Sequence, residues 1–294
     1  MPDAESGSSR RWWKTGRRPK GAPWLNTTRE GEQPDGWREY LDAFHAHHPG
    51  ITAEVLGRSF SDGVTPYGWL TAAIPPDDTV IDVGCGSSPI AELVGSRWIG
   101  VDRSASEVAL AGSCSGQPLV LGDAPALPFP AQSVTTIVCS MSLQILDPLV
   151  AVLGEFARVL RPGGRVVAIV PARRPLTWSD RWRYLRLSRT LRDGLTYPND
   201  VALSRLAGVM GEAGFDVVDD QARRFLYRVD DAAGAAKFVS SLYARSLDAK
   251  HTTLANALVA GWVGTSLAIP IRRFVCVRRP ADNPRFLDDS IRSG

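Results

Sequence analysis

The sequence contains few lysines, cysteines and histidines. Only four of its 34 basic residues are lysines, and a bias this strong toward arginine is typical of a GC-rich genome rather than of a binding surface. The four cysteines lie far apart without a C-x-x-C pair, which argues against a zinc site or an iron–sulfur cluster. We therefore expect no metal cofactor, and a reducing, cytoplasmic location agrees with this cysteine pattern.

Long apolar runs of the kind that cross membranes are also scarce. The Arg10-Arg11 pair resembles an export signal, but residues 15–20 are polar and basic where such a signal requires an apolar stretch. Residues 252–271 carry no charge, yet an asparagine, two glycines and Pro270 favour a buried helix that runs into a core strand. We predict neither export nor a membrane span.

The length and composition predict one principal domain. With 294 residues and 44% hydrophobic residues, the chain can bury one large α/β core with an accessory cap. Its first residues are rich in glycine, proline, serine and arginine without apolar periodicity, as is typical of a disordered basic tail. The predicted segments are this tail (1–35), a helical cap (36–78), a principal domain (79–280) with insertions at about 172–200 and 230–268, and a second tail (281–294).

From residue 79 onward, short apolar runs alternate with helical segments. This pattern predicts an α/β fold with a doubly wound, seven-stranded, mostly parallel, Rossmann-like sheet, an N-terminal helical cap and helical lid insertions. The predicted strands are 80–83, 98–101, 118–121, 134–139, 165–170, 215–219 and 274–277. The predicted helices are 90–94, 105–111, 149–160 and 202–213, with an amphipathic helix over 230–251 and helical spacing of apolar residues from Trp37 to Phe60.

A tight glycine turn follows the first predicted strand. Asp82 lies in the strand, and Gly84-Cys85-Gly86 lets the backbone approach a ligand closely. Pro89 stands where a dinucleotide-binding fingerprint has its third glycine. Because a carboxylate beside the turn would repel a diphosphate and attract an ammonium or sulfonium group, we predict a partly cationic cofactor.

Two more acids end the next predicted strands. Asp102 follows Asp82 by 20 residues and is suited to accept hydrogen bonds from both hydroxyls of a ribose. Asp123 follows the third strand and is suited to accept one from an adenine amino group. Three strand-end acids at one edge of a sheet predict a site for adenosine joined to an amino acid.

With these residues the chain resembles the class I S-adenosylmethionine (SAM)-dependent methyltransferases, particularly the branch that acts in quinone and natural-product biosynthesis. Residues 82–86 resemble the family's first motif, Asp102 its ribose-binding acid, and residues 122–124 with 127–129 its adenine-side motif. Residues 159–164 resemble the turn before the fifth strand. Two departures are Ser88, where many members have a glycine, and Leu143-Gln144, where relatives often have a histidine pair.

The resemblance implies SAM as the cofactor, S-adenosylhomocysteine as the product and methyl transfer as the reaction. The predicted cofactor-binding residues are Asp82, Gly84, Cys85, Gly86, Asp102, Arg103, Asp123, Ala124 and Ser140.

The catalytic and acceptor residues are predicted from position alone. His45 shares the apolar side of the cap helix with Leu41, so it is our candidate for a catalytic base. Tyr67 and Trp69 precede the first strand and Gln144 follows the fourth, where ligands bind in sheets of this kind, so these three are predicted to bind the acceptor.

The acceptor itself leaves several alternatives open. We expect a small organic molecule, methylated on oxygen, nitrogen or carbon, and no nucleic-acid partner. A nucleic-acid methyltransferase would use the basic tail and the seven arginines around Trp178 and Trp182. A third hypothesis is a protein that keeps the fold and cofactor but catalyses cyclisation or only binds. A nicotinamide-dependent dehydrogenase is disfavoured by Asp82 and Pro89. The oligomeric prediction is a monomer or homodimer.

Overall fold

The computed structural model describes residues 35–192, 194–245 and 247–280. The predicted N-terminal and C-terminal tails lie outside the described residues, apart from the backbone of Asp35.

The described residues form eight strands and eleven α-helices. The strands are β1 (Ser59–Phe60), β2 (Val80–Val83), β3 (Trp98–Asp102), β4 (Leu119–Leu121), β5 (Val134–Ser140), β6 (Leu160–Pro171), β7 (Phe215–Arg228) and β8 (Ser266–Arg278). The helices are α1 (Asp35–His47), α2 (Ile51–Gly57), α3 (Pro66–Thr71), α4 (Ala91–Val94), α5 (Ala105–Cys114), α6 (Leu149–Val159), α7 (Trp178–Leu191), α8 (Asp200–Ser204), α9 (Leu206–Glu212), α10 (Ala232–Ser240) and α11 (Ala249–Ala260).

All strands join one sheet in the order β1-β7-β8-β6-β5-β2-β3-β4. The five strands from β4 to β6 are parallel, and β8 runs antiparallel between β6 and β7. This arrangement confirms the doubly wound α/β fold with its mostly parallel core. The eighth strand was not predicted: Phe60, assigned to a helix by its spacing, pairs with Leu226 in the edge strand β1.

The core lies on both faces of the sheet. In β5, Ile137 and Cys139 face a cluster built with α6, α8 and α9, whereas Val138 faces a cluster built with α3 and α4. Successive strand residues point to opposite faces, so a strand covered by helices on both sides must be apolar throughout. This requirement explains why β2, β5 and β6 appear as continuous apolar runs.

Two predicted helices are each divided in the structure. The predicted helix 202–213 is interrupted at Arg205, which leaves the helical conformation with φ −112° and ψ 40°. The predicted helix over 230–251 stops at Ser240, and α11 begins after Asp248, whose carboxylate caps it. The interruption allows Tyr243 to pack against Phe44 of the cap, with ring centroids 4.6 Å apart.

The antiparallel strands β7 and β8 are longer than predicted. Their pairing runs from Phe215 opposite Arg278 to Arg228 opposite Ser266. The charged residues in the added part of β7 are matched by cross-strand ion pairs such as Asp220–Arg272.

The uncharged run 252–271 is divided between α11 and β8, as predicted. In the part of the chain that the structure describes, every helix is too short or too polar to cross a membrane.

Candidate functional site

A cavity of about 440 Å³ opens at the carboxyl ends of β2, β3, β4 and β5. The chain turns in opposite directions from β2 and from β5, and such a reversal leaves a crevice where ligands bind in open α/β sheets. The cap helix α1 and residues 50–53 cover the cavity, and Tyr243 and Pro198 complete its wall. Its volume lies within the ~300–1,000 Å³ range of small-molecule sites.

The glycine turn after β2 forms the floor of the cavity. Gly84 has φ +70°, and a Cβ there would lie 2.5 Å from the Cβ of Ser142. Ser142 is fixed in turn, because its hydroxyl donates a 2.6 Å hydrogen bond to the carbonyl of Val83. Gly86 also has a positive φ, of +52°. Glycine is therefore required at position 84 by both conformation and space.

Asp102 is held firmly at the end of β3. Its two carboxylate oxygens accept hydrogen bonds of 2.8 Å from the backbone N–H groups of Gly86 and Ser104. Burial raises the pKa of Asp102, and these two donors oppose the rise. Each oxygen keeps a second lone pair, so the carboxylate can still accept from two ribose hydroxyls.

The side of the cavity that contains Asp123 is joined to the cap. Asp123 accepts from the Ala124 N–H at 3.0 Å and from the Arg38 guanidinium at 2.7 Å. Arg103 contacts both the Arg38 carbonyl and the carboxylate of Asp42. The predicted residues Asp123, Ala124 and Arg103 thus line the cavity, but the charged groups of Asp123 and Arg103 are paired with α1.

Asp82 lies behind the cavity wall rather than in it. The residue is fully buried, and its Oδ2 accepts a 3.3 Å hydrogen bond from the indole N–H of Trp98. Within the described residues its Oδ1 has no partner. Burial raises the pKa of Asp82 to about 7. Any influence of this carboxyl on a ligand must therefore act through its charge from beneath the glycine turn.

His45 lies between two polar side chains at the cavity wall. Its Nδ1 is 2.9 Å from Glu107 Oε1, and its Nε2 is 3.3 Å from the Tyr243 hydroxyl. The Gly50 N–H donates to both Glu107 oxygens at 3.1 Å. Because a carboxylate can only accept, Nδ1 must carry the proton, which leaves the Nε2 lone pair of a neutral imidazole facing Tyr243.

Glu107 and Tyr243 were not predicted from the sequence as site residues. Ser104 and Glu107 have the S-x-x-E spacing of a helix capping box, and Ser104 does accept a hydrogen bond from the Glu107 N–H. The Glu107 carboxylate, however, points to the cap instead of back to Ser104. The sequence pattern around Glu107 therefore indicated only a role in capping its own helix.

The predicted acceptor residues divide into two groups. Tyr67 lines the cavity, and burial raises the pKa of its phenol. Trp69 is outside the cavity wall, packed on Phe225, and Gln144 is buried outside it with its amide donating to the Met141 carbonyl at 2.6 Å. The structure does not bring Trp69 or Gln144 to the site.

The remaining predicted cofactor residues lie in the wall. Ser140 ends β5 beside the cavity, and within the described residues its buried hydroxyl has no hydrogen-bond partner, as expected of a group that awaits a ligand. Cys85 is buried in the glycine turn, and burial raises the pKa of its thiol. The thiol is therefore a packing group rather than a nucleophile.

The charge of the cavity suits a cationic ligand. Five carboxyl groups line it, against two guanidinium groups that are already paired with carboxylates. The lining acids are Asp42, Asp102, Glu107, Asp123 and Asp147. SAM carries an ammonium and a sulfonium charge, which this excess of acids complements. The glycine floor also leaves space for it, and the Ser140 hydroxyl, which has no partner within the described residues, can form a hydrogen bond with it. No group of three or more His, Cys, Asp or Glu residues suited to a metal ion occurs in the described ranges.

Comparison with known proteins agrees with this geometry. Residues 81–168 match the family model described as a methyltransferase domain. The 2-phytyl-1,4-naphtoquinone methyltransferase of Synechococcus elongatus is 34% identical over 133 residues, which are 38% of this chain and 57% of that one. The malonyl-[acyl-carrier protein] O-methyltransferase of Methylococcus capsulatus is 27% identical over 65% of this chain and 69% of that one.

A solved structure, the YcgJ protein of Bacillus subtilis, covers 81% of this chain and 100% of its own at 18% identity, with a TM-score of 0.48. The chain spans little more than half the length of the phytyl-naphthoquinone relative, 57%. The matched segment contains Asp82, the glycine turn, Asp102 and Asp123. Residues 81–168 of the chain therefore correspond to a methyltransferase domain.

Proposed function

We propose that the protein transfers a methyl group from SAM to a small organic acceptor, with His45 as the general base. One observation carries this proposal: a single cavity contains both the glycine turn of a methyltransferase domain and a histidine paired with a buried carboxylate. Neither feature alone distinguishes an enzyme from a binding protein.

SAM, when bound, supplies an electrophilic methyl group on its sulfonium. The residues of this chain then have two tasks. Gly84 and Gly86 let the backbone approach the cofactor, and Asp102 accepts from its ribose. The cap, held by the Arg38–Asp123 and Arg103–Asp42 ion pairs, covers the site and excludes water.

His45 removes a proton from the acceptor while the acceptor's nucleophilic atom attacks the methyl group. Glu107 accepts the Nδ1 proton, which orients the ring and stabilises the imidazolium that forms. The Tyr243 hydroxyl lies 3.3 Å from Nε2 of His45, so it can hold the acceptor next to the same nitrogen. General-base catalysis of this kind contributes about 10²–10⁴ in rate.

We further propose an aromatic, quinol-like acceptor with an ionisable hydroxyl or an adjacent acidic carbon. Leu41, Met141, Ile145 and Leu146 give the cavity an apolar side, which suits a ring system. The phytyl-naphthoquinone relative supports the same class. We expect the enzyme to work in the cytoplasm as a monomer or homodimer, without a metal ion.

The test uses radiolabelled SAM with a host-cell extract and with simple naphthols and quinols. Label in the solvent-extractable fraction supports a small-molecule acceptor. Label confined to acid-precipitable material would instead favour the nucleic-acid or protein alternative, and product formed without loss of the methyl group would favour cyclisation.

The base is tested with His45→Ala and Glu107→Gln. We expect His45→Ala to lower kcat by about 10²-fold or more, and Glu107→Gln to lower it by about tenfold, without a comparable change in SAM affinity. His47→Ala is the matched control, because His47 lies in the same helix but is exposed and bonds only the Ala43 carbonyl within the described residues. A His45→Ala enzyme within threefold of the wild type would remove the base assignment.

A further inference from the structure

Helix α7 carries an exposed aromatic stripe. Trp178 is 84% exposed, Trp182 55% and Leu185 48%. Their i, i+4, i+7 spacing puts all three side chains on one side of the helix, and we call this surface the α7 aromatic face. Two tryptophans this exposed are costly to keep in water, and in folded proteins such surfaces mark interaction sites.

The opposite side of α7 is firmly attached to the protein. Asp180, Leu187 and Leu191 are buried, and Asp180 both caps the helix with Thr177 and accepts two hydrogen bonds from Arg224. The helix is therefore a rigid element with a fixed outward side. The exposure of its tryptophans is a property of the fold rather than of a loose segment.

Arginines flank the α7 aromatic face on both sides. The guanidinium of Arg181 lies 5.3 Å from the ring centre of Trp178, and that of Arg186 lies 4.6 Å from the ring centre of Trp182. Arg189 continues the stripe one turn further. Within the described residues none of these three arginines pairs with a carboxylate, and the one carboxylate of the helix, Asp180, is buried.

A second element extends this surface. Helix α11 packs beside α7, and its Leu254 is 48% exposed. Leu254 shares a shallow depression with Arg189 and Arg192 of the α7 end. Exposed apolar side chains thus alternate with arginines that have no carboxylate partner among the described residues, on the surface of two adjacent helices.

We propose that the α7 aromatic face binds the anionic surface of a lipid membrane. Tryptophan, leucine and arginine on one face of a helix are the combination that lies in the headgroup region, with apolar side chains at the acyl boundary and cations on lipid phosphates. Single-stranded nucleic acid fits less well, because it needs a groove along its backbone and free aromatic faces. Here the stripe lies on the outside of a helix, and arginines already stack on both rings.

The inference does not depend on methyl transfer, although a membrane surface is where an apolar acceptor would concentrate. The loop after α7 leads within a few residues to Pro198, which lines the cavity.

The experiment is sedimentation of the full-length protein with vesicles of phosphatidylcholine alone or with about one third phosphatidylserine, without SAM. We expect binding to the anionic vesicles, which weakens as salt rises. Trp178→Ser with Trp182→Ser should reduce the partition coefficient by about tenfold or more. Arg181→Gln with Arg186→Gln should reduce it by about thirtyfold, which corresponds to about 1 kcal/mol per charge near an anionic surface.

The matched control is Leu93→Ser with Val218→Ser, which removes two other exposed apolar side chains (56% and 60%) from elsewhere on the protein. It should bind as the wild type does. The proposal fails if the wild type does not bind anionic vesicles, or if the tryptophan variant binds them as well as the control does. It also fails if RNA, and not vesicles, retains the protein through these tryptophans. Unchanged methyl transfer in detergent by all variants keeps this outcome separate from that of the proposed enzyme.

Discussion

Replacing Asp82 by asparagine tests the electrostatic role of the acid beneath the glycine turn. Burial raises the pKa of Asp82 from 3.8 to about 7, so charging this carboxyl costs about 4 kcal/mol more in the folded protein than in the unfolded chain. Its burial, with one oxygen unpartnered among the described residues, accounts for the penalty. Asparagine can still accept from the Trp98 indole but cannot ionise.

The sign of the pH effect follows from proton binding. Between pH 4 and about 7 the unfolded chain has an ionised Asp82, whereas the folded protein keeps this carboxyl protonated, so stability falls as pH rises through this window. The penalty is complete above pH 7 and absent below about pH 4. Asp82→Asn removes this dependence, so its unfolding free energy relative to the wild type should rise by about 3 kcal/mol from pH 5 to pH 8.

Urea unfolding of both proteins without SAM, at several pH values from 5 to 8, measures this difference. Any constant cost of burying the amide cancels, because only the change with pH is compared. Asp62→Asn is the control, since Asp62 is exposed, and its difference from the wild type should stay constant. At pH 8 the Asp82→Asn protein should also bind SAM more weakly, because the cofactor's positive charge loses a carboxylate. A pH-independent difference for Asp82→Asn would refute the reasoning.

Three further substitutions test separate parts of the structure. Gly84→Ala should reduce SAM affinity in calorimetry, and stability by about 1–3 kcal/mol, because its Cβ would meet Ser142 at 2.5 Å and φ is positive; normal binding would contradict the close approach. Asp102→Ala should weaken SAM binding by about 1–3 kcal/mol, and an unchanged dissociation constant would remove the ribose assignment. Asp180→Ala should cost about 1–3 kcal/mol in urea unfolding, since it removes the capping box of α7 and leaves the half-buried Arg224 guanidinium without its partner; an unchanged unfolding free energy would contradict this.

The Asp180 variant also has a pH signature. Burial alone would raise the pKa of Asp180, but hydrogen bonds from Arg224 and Thr177 outweigh it and lower this pKa to about 2. The stabilisation is therefore complete above pH 4 and is lost as pH falls toward 2. The difference between wild type and variant should shrink over that range in acid unfolding experiments.

Many of the predicted cofactor-binding residues could be identified from the sequence, because the patterns that mark them are local. A strand covered on both faces must be apolar, and an acid at its carboxyl end must lie at the ligand edge. This reasoning located Asp102 and Asp123 at the cavity. The glycine turn was equally predictable, since a tight turn beside a ligand leaves few alternatives to glycine.

Residues chosen by proximity in the chain were less successful. Tyr67 and Trp69 were predicted together, but they lie in helix α3, where two residues correspond to about 200° of rotation. Tyr67 therefore reaches the cavity and Trp69 packs on Phe225. The extended β7–β8 ribbon was missed for a related reason, because cross-strand ion pairs such as Asp220–Arg272 join residues far apart in sequence.

The sequence by itself thus determined the fold class, the cofactor class and the strand-end acids, which depend on periodicity and on neighbours within a few residues. Only the tertiary structure decided which side chains pair with His45, the candidate base. Glu107 has the spacing of a helix cap. His45 lies 62 positions before Glu107, and Tyr243 lies 198 positions after His45. No local pattern links such residues, because their contact results from the packing of the cap and of the chain after α10 over the ends of the sheet.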